Sequence, residues 1–199
     1  MPFIVPITDT TRVISNSLLS LSDGKNKIVF DTMPNVSMAS AVSYQPKQFS
    51  QLPTAINYFD NVSATAITIS DIKFVSRTRQ EATNNNQVIY YLRYLTKPNF
   101  GKNGNGMPPN ILRLNGFNPI EQDEKEGSGE HLGGINNVTV VITSFDINWP
   151  NDCDLIPDEQ LIATPIIRTG SLSLLEVHSP NQIANFDLKA FKAGRLLGW

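Results

Sequence analysis

Only one stretch of the chain carries the signature of a long helix, and it stands among segments patterned as strands. Thr78-Arg79-Gln80-Glu81 has capping-box spacing: the threonine oxygen accepts from a free first-turn amide and the glutamate reaches back to the cap's own amide. Val88, Tyr91, Leu92 and Leu95 follow at i, i+3, i+4 and i+7, one apolar stripe of a helix. Arg79, Tyr90, Arg93 and Lys97 fall largely off that stripe. Pro98 disfavours helical geometry at Lys97, so the helix is expected over about residues 79–96. Its interior holds Asn84-Asn85-Asn86, which costs about 0.5 kcal/mol per residue relative to alanine. Tertiary packing or a partner must therefore hold this segment in place.

The remaining apolar residues read as strands. Asp23-Gly24 signals a turn before a short strand at Lys27-Ile28-Val29-Phe30. Val36, Met38, Ser40, Val42 and Tyr44 alternate with small residues, the period of a half-buried strand. Ala64 to Val75 places Ile67 and Ile69 on one face, then Ile72 and Phe74 on the other. Either a bulge near Ser70-Asp71 keeps both pairs inside, or both faces of the strand are covered. Further strands are expected at Ile111–Phe117, at Asn137–Trp149 with Val141, Phe145, Ile147 and Trp149 on one face, and at about Thr164–Val177. In the last, Ile166, Leu172 and Leu174 lie on one side and Ile167, Leu175 and Val177 on the other. Residues 1–25 read as irregular, 46–53 as punctuated by proline, and 99–106 and 118–136 as loops. With 199 residues, 40% of them hydrophobic, this is material for one domain of α+β class, mainly β.

Composition excludes several functions. Sixteen basic against eighteen acidic residues give a net charge of −2, without the basic surplus that direct DNA readout requires. A single cysteine, Cys153, rules out an internal disulfide framework and a multi-cysteine zinc site. Met1–Pro6 lacks a basic start and is broken by prolines, so no secretory leader is expected, and no apolar run is long enough for a membrane helix. Asp152-Cys153-Asp154 with Asp158-Glu159 lacks the calcium-loop pattern, because Ile156 and Pro157 stand where an oxygen ligand and a glycine belong. Cys153 has no histidine placed beside it by a motif, and His131 and His178 are too few for elaborate acid–base chemistry. Gly101–Gly106 does not end in Gly-Lys-Ser/Thr and so is no phosphate loop. Glu121, Asp123, Glu124 and Glu126 form a solvated charge run in a loop, not two carboxylates fixed across a cleft. Arg77, Arg79 and Arg93 could touch phosphates, but ordinary helix-surface charge accounts for them equally well. No catalytic, cofactor or metal residue is assigned.

What remains is an ordered set of blocks. Ile28-Val29-Phe30-Asp31-Thr32-Met33-Pro34-Asn35-Val36-Ser37 resembles an early motif of baseplate tube-initiator proteins from contractile-tailed bacteriophages. So does Phe74 to Pro98, which opens Phe-Val-Ser-Arg-Thr-Arg-Gln-Glu-Ala and closes Tyr-Leu-Arg-Tyr-Leu-Thr-Lys-Pro. Pro108-Pro109-Asn110-Ile111-Leu112, Ser144–Asp152 and the ending Phe186–Trp199 are similar to the same family, in order across about residues 28–199. Two features depart from its pattern: the acidic insertion around Glu121–Glu130, and Cys153 where an aliphatic residue is expected.

The resemblance implies a tail-tube-like fold over residues 1–199: two antiparallel sheets packed as a sandwich or partial barrel, with the one helix at its side. It implies a structural virion protein, assembled in the host bacterial cytoplasm. Copies of the chain would form a ring, usually hexameric, between the baseplate hub and the tail tube. The ring would contact the tube and hub proteins and let DNA pass without gripping it, with no cofactor and no small-molecule substrate. The candidate subunit-interface residues are Arg79, Tyr90 and Arg93 on the helix and Leu188, Phe191 and Trp199 in the amphipathic tail, about 186–199. A non-catalytic carbohydrate-binding β-sandwich using Trp149 or Trp199 is the alternative.

Overall fold

A computed structural model describes residues 2–7, 18–50, 53–100, 106–117 and 134–193. Eight strands form one antiparallel sheet: β1 (Pro2–Pro6), β2 (Leu19–Ser22), β3 (Asn26–Phe30), β4 (Asn35–Ala39), β7 (Ala66–Val75), β8 (Leu112–Gly116), β9 (Ile135–Asn148) and β12 (Ile167–Glu176). Their order across it is β1-β3-β2-β8-β9-β12-β7-β4. Two hairpins stand outside it: β5 (Val42–Lys47) with β6 (Ile56–Val62), and β10 (Leu155–Pro157) with β11 (Ala163–Pro165). The helices are α1 (Arg79–Leu95), α2 (Pro180–Ala184) and α3 (Leu188–Lys192).

The strands therefore do not divide into two packed sheets. One sheet curls until β1, at one edge, meets β7, next to the other edge, and α1 lies against β1, β7 and β9. A single core fills this trough. It takes Leu21 and Phe30 from one half of the sheet, Ile69, Phe74 and Leu172 from the other, and Val88, Leu92 and Leu95 from α1.

Residues 1–25 are not wholly irregular either, since β1 and β2 lie within them. Phe3-Ile4-Val5 pairs with β3 alone, and an edge strand accommodates Pro2 and Pro6 because it does not need every amide for a ladder.

Two bulges set which side chains face the core. In β7 the residues Ser70 and Asp71 together oppose Ser171, and Asp71 takes a left-handed φ of 59°. The facing side flips there, and Ile67, Ile69, Ile72 and Phe74 are all buried. Of the two readings left open for this strand, the bulge is the one adopted. In β9 an extra residue at Thr143 does the same. Val138, Val140 and Ile142 face the core before it, whereas Phe145 and Ile147 pack against the core after it. The expected stripe from Val141 to Trp149 is thus not one face: Val141 is only half-buried and Trp149 is exposed. The last long strand is also divided. Ile167 is exposed, and the buried series on β12 is Arg168, Gly170, Leu172, Leu174 and Glu176.

The helix begins at its expected cap. Thr78 Oγ1 accepts from the Glu81 amide at 3.2 Å, but the Glu81 carboxylate accepts from the amide of Arg77, one residue before the cap, at 2.7 Å. The asparagine run is held by hydrogen bonds to groups outside the helix. Asn85 is fully buried, and its Nδ2 donates to the Val75 carbonyl (2.9 Å) and to Ser76 Oγ (3.0 Å).

The alternating segment from 36 to 44 is not one half-buried strand. It breaks at Ser40-Ala41 into β4 and β5, and only Val36 packs against the core. Beyond the break, β5 and β6 form a ribbon with no buried residue.

Candidate functional site

The outer flank of α1 and the β10–β11 hairpin enclose a cleft of about 330 Å³. Asp158, itself buried, builds the hairpin's turn. Its Oδ1 accepts from the amides of Gln160 (3.0 Å) and Ile162 (2.8 Å), an Asx-type arrangement that replaces backbone partners. The Asp158 amide donates to the Ile162 carbonyl at 3.0 Å, and Leu161 sits at a left-handed φ of 62°. Two polar side chains of α1 fasten this turn to the helix. Thr83 Oγ1 accepts from the Glu159 amide (3.0 Å), and Asn86 Nδ2 donates to Asp158 Oδ2 (3.1 Å) and Thr164 Oγ1 (3.2 Å).

Arg168 of β12 completes the cleft. It is 1% exposed, and its Nη1 donates to Asn86 Oδ1 at 2.7 Å. Its guanidinium carbon lies 5.6 Å from the centre of the Trp149 ring, within cation–π range. Nε and Nη2 are buried and have no hydrogen-bond partner among the described residues. Burial pulls its pKa below the ordinary arginine value, but a guanidinium starts so high that it remains a cation. Asp158, a carboxylate in the lining of the cleft, accepts from three N–H donors and reaches Arg168 through Asn86, with no direct ion pair between the two among the described residues. At the rim, Tyr90 is 66% exposed and the Arg93 guanidinium lies 5.9 Å from its ring centre. Ile89 and Ile162 add apolar wall. Two cations, two aromatic rings and side-chain amides are groups that can bind and orient an anionic or polar group.

Of the expected interface residues, the structure brings only Tyr90 and Arg93 together. Arg79 is exposed at the start of α1, roughly 16 Å along the axis from Tyr90. Leu188 and Phe191 lie exposed on α3, where Phe191 meets Phe186 with ring centres 5.6 Å apart, and no residue of α2 or α3 is buried. The described part of the tail therefore does not dock on its own core. Trp199 and Leu196 lie outside the described residues, as do His131 and the acidic run Glu121, Asp123, Glu124 and Glu126.

From sequence, Arg168 and Thr164 carry no site motif, Asn86 enters only as part of the weak helix interior, and Asp158 only as part of a run that lacks the calcium-loop pattern. A lone arginine within an apolar strand, Ile166-Ile167-Arg168, was the available signal, together with the unexplained asparagine run. Elsewhere, Cys153 donates through Sγ to the Pro150 carbonyl at 3.5 Å, and His178 Nε2 lies 3.2 Å from Oε1 of buried Glu176. Among the described residues, no group of three or more His, Cys, Asp and Glu side chains could hold a metal, and no helix is long and apolar enough to cross a membrane.

The second unusual surface is the β5–β6 ribbon. Its register slips between Ser43 and Tyr44, so that Val42 opposes Val62 and Tyr44 opposes Phe59. The slip leaves Val42, Tyr44, Phe59 and Val62 on one exposed apolar face, with the Tyr44 and Phe59 rings edge to face at 6.2 Å. No protein-family model matches the chain, and no curated protein matches it.

Proposed function

We propose that this chain is a structural protein of a contractile phage tail. Its copies form a ring at the junction of baseplate hub and tail tube, start tube assembly and surround the DNA channel. The observation that carries the reading is the ribbon. A two-stranded ribbon with no buried residue is marginally stable alone, and a continuous apolar patch of this kind marks a contact with another protein. A ring stacked on a tube supplies such contacts to every copy, from its neighbours and from the layers above and below.

Three further features support it. The ordered sequence blocks resemble tube initiators from about residue 28 to the end. The curled sheet with one helix across it suits a tail-tube-like subunit, whose sheet forms part of a wall. The net charge of −2 suits a lumen that lets a polyanion pass, since each phosphate neutralised adds affinity through counterion release. The protein on this reading acts by assembly and not by catalysis, at the tail of the virion. A carbohydrate module has weaker support, because Trp149 lies over Arg168 and not in a row of open rings.

The test is assembly. In sedimentation velocity and negative-stain microscopy, the purified full chain should form closed rings with an axial opening. Replacing Tyr90 and Arg93 together by alanine should abolish the rings, while monomer stability changes by no more than about 0.5 kcal/mol, as for surface sites generally. A chain that remains monomeric at every accessible concentration and is absent from purified tails overturns the proposal.

A further inference from the structure

We infer that the cleft between α1 and the β10–β11 hairpin is a carboxylate socket, which takes an Asp or Glu side chain from an adjoining copy of the chain onto Arg168, with Arg93 at its mouth. The assignment of the adjoining copy rests on the ring reading; the carboxylate chemistry does not.

The argument begins with what Arg168 lacks. Nη1 is held by Asn86, which fixes the plane of the guanidinium. The two unmatched nitrogens, Nε and Nη2, form the edge that binds both oxygens of a carboxylate in parallel. Buried charges are ordinarily paired, and this one makes no direct ion pair among the described residues; Asp158 meets it only through Asn86, which donates to Asp158 Oδ2 and accepts from Arg168 Nη1. Arg93 repeats the pattern at the rim: it stacks on Tyr90 and makes no ion pair among the described residues. The cleft thus presents the unmatched edge of Arg168 and the Arg93 guanidinium to whatever enters, against the carboxylate of Asp158.

Its other walls suit a protein-borne anion. Trp, Tyr and Arg are the residue types that concentrate binding energy at protein contacts, and here Trp149, Tyr90, Arg93 and Arg168 line one hollow. Trp149 lies across the guanidinium, is 56% exposed and makes no hydrogen bond among the described residues, so nothing polar holds it down. The free edge of Arg168 is shielded from solvent, so on this proposal a carboxylate reaches it only if a neighbouring group such as the Trp149 indole moves. Trp149, beside the guanidinium, is the reporter. A second copy brings such anions, since the chain has eighteen acidic residues against sixteen basic ones.

The experiment uses the full chain carrying Trp199→Phe, which leaves Trp149 as the one indole. Glutarate should change Trp149 emission saturably, whereas sodium chloride at equal ionic strength should not. Arg168→Lys keeps a charge but loses the fork and should weaken the response about tenfold. Arg93→Gln, at an exposed site that does not endanger folding, should weaken it several-fold. No saturable response, or a tighter one to phosphate than to glutarate, overturns the socket. The donor is identified by carbodiimide coupling of Arg168→Lys and Arg93→Lys, each mixed from isotopically light and heavy protein. Light-to-heavy links from position 168 or 93 to an Asp or Glu support an adjoining copy. Assembled rings without such links overturn that donor. A glutarate response in a chain that never forms rings sinks the ring reading and leaves the socket standing.

Discussion

The sheet body and the β5–β6 ribbon are built from the same kinds of residue and end in opposite environments. β7 carries Ile67, Ile69, Ile72 and Phe74 into the core, whereas β5 and β6 carry Val42, Tyr44, Phe59 and Val62 into solvent. Each region uses a bulge to bring its apolar side chains onto one face. What differs is the cover: β7 has the curled sheet and α1 over it, and the ribbon has nothing among the described residues. Alternation in a sequence thus specifies that a strand has an apolar side. It does not specify whether that side is covered by the same chain or by another.

The largest effect expected from this contrast is at its two phenylalanines. Phe74→Ala empties a fully buried site and should cost about 3–5 kcal/mol in denaturant unfolding of the monomer. Phe59→Ala removes a ring that is already solvated, so the monomer should change by no more than about 0.5 kcal/mol. Ring assembly, followed by sedimentation, should respond in the opposite order per unit of lost stability. If Phe59→Ala unfolds the monomer as severely as Phe74→Ala, the ribbon is covered by its own chain and the contrast fails.

The same contrast explains how far the sequence could be read. The β7 bulge was one of two open readings, because polar Ser70-Asp71 separates Ile67 and Ile69 from Ile72 and Phe74, which have the opposite parity. The β9 bulge was not legible, because Val140-Val141-Ile142 is apolar at every position and a change of facing side at Thr143 leaves no gap in the pattern. The helix was legible from Thr78 to Leu95, since its cap and stripe are local. The hydrogen bonds that hold Asn85 and Asn86 come from Val75, Ser76, Asp158, Thr164 and Arg168, and those at the far end of the chain from α1 have no local trace. For that reason half of the cleft was visible beforehand, as Tyr90 and Arg93, and the half built from the last third of the chain was not. β1 was missed because its prolines read as strand breakers, which they are only away from an edge.

A middle-sized effect distinguishes the polar groups of the two regions. Asn85→Ala leaves the Val75 carbonyl and Ser76 Oγ without their donor inside the protein, and should cost about 1–3 kcal/mol. Asn61→Ala, on the exposed ribbon, should cost no more than about 0.5 kcal/mol. Thermal unfolding of both variants measures this directly. Near-equal losses would mean that the helix is not held in place by the Asn85 contacts.

The smallest effect concerns two tyrosines and depends on pH. Tyr91 of α1 donates to Asp23 Oδ2 and accepts from Asn26 Nδ2 at 3.2 Å, tying the helix to the turn before β3. Burial, and then the bond to Asp23, push the Tyr91 phenol from 10.0 up to about 12. A raised folded pKa means that the fold favours the protonated phenol, so its contribution is complete below pH 10 and is lost as pH rises from 10 towards 12. Asp23 behaves in the opposite sense. Burial alone would raise its carboxyl, but bonds from the Asn26 amide, Tyr91 and the Lys25 amide outweigh it and hold the carboxyl below its ordinary 3.8. Its contribution is present above that value and is lost as pH falls through the folded pKa. Tyr91→Phe should therefore cost about 0.5–1.5 kcal/mol at neutral pH and flatten the alkaline fall in stability. Tyr58→Phe, on a ribbon residue with no hydrogen bond among the described residues, should leave stability at neutral pH unchanged. Urea unfolding midpoints taken from pH 3 to 11.5 measure both variants. An alkaline fall that persists undiminished in Tyr91→Phe would show that the phenol's bond to Asp23 is not what ties α1 to the β2–β3 turn.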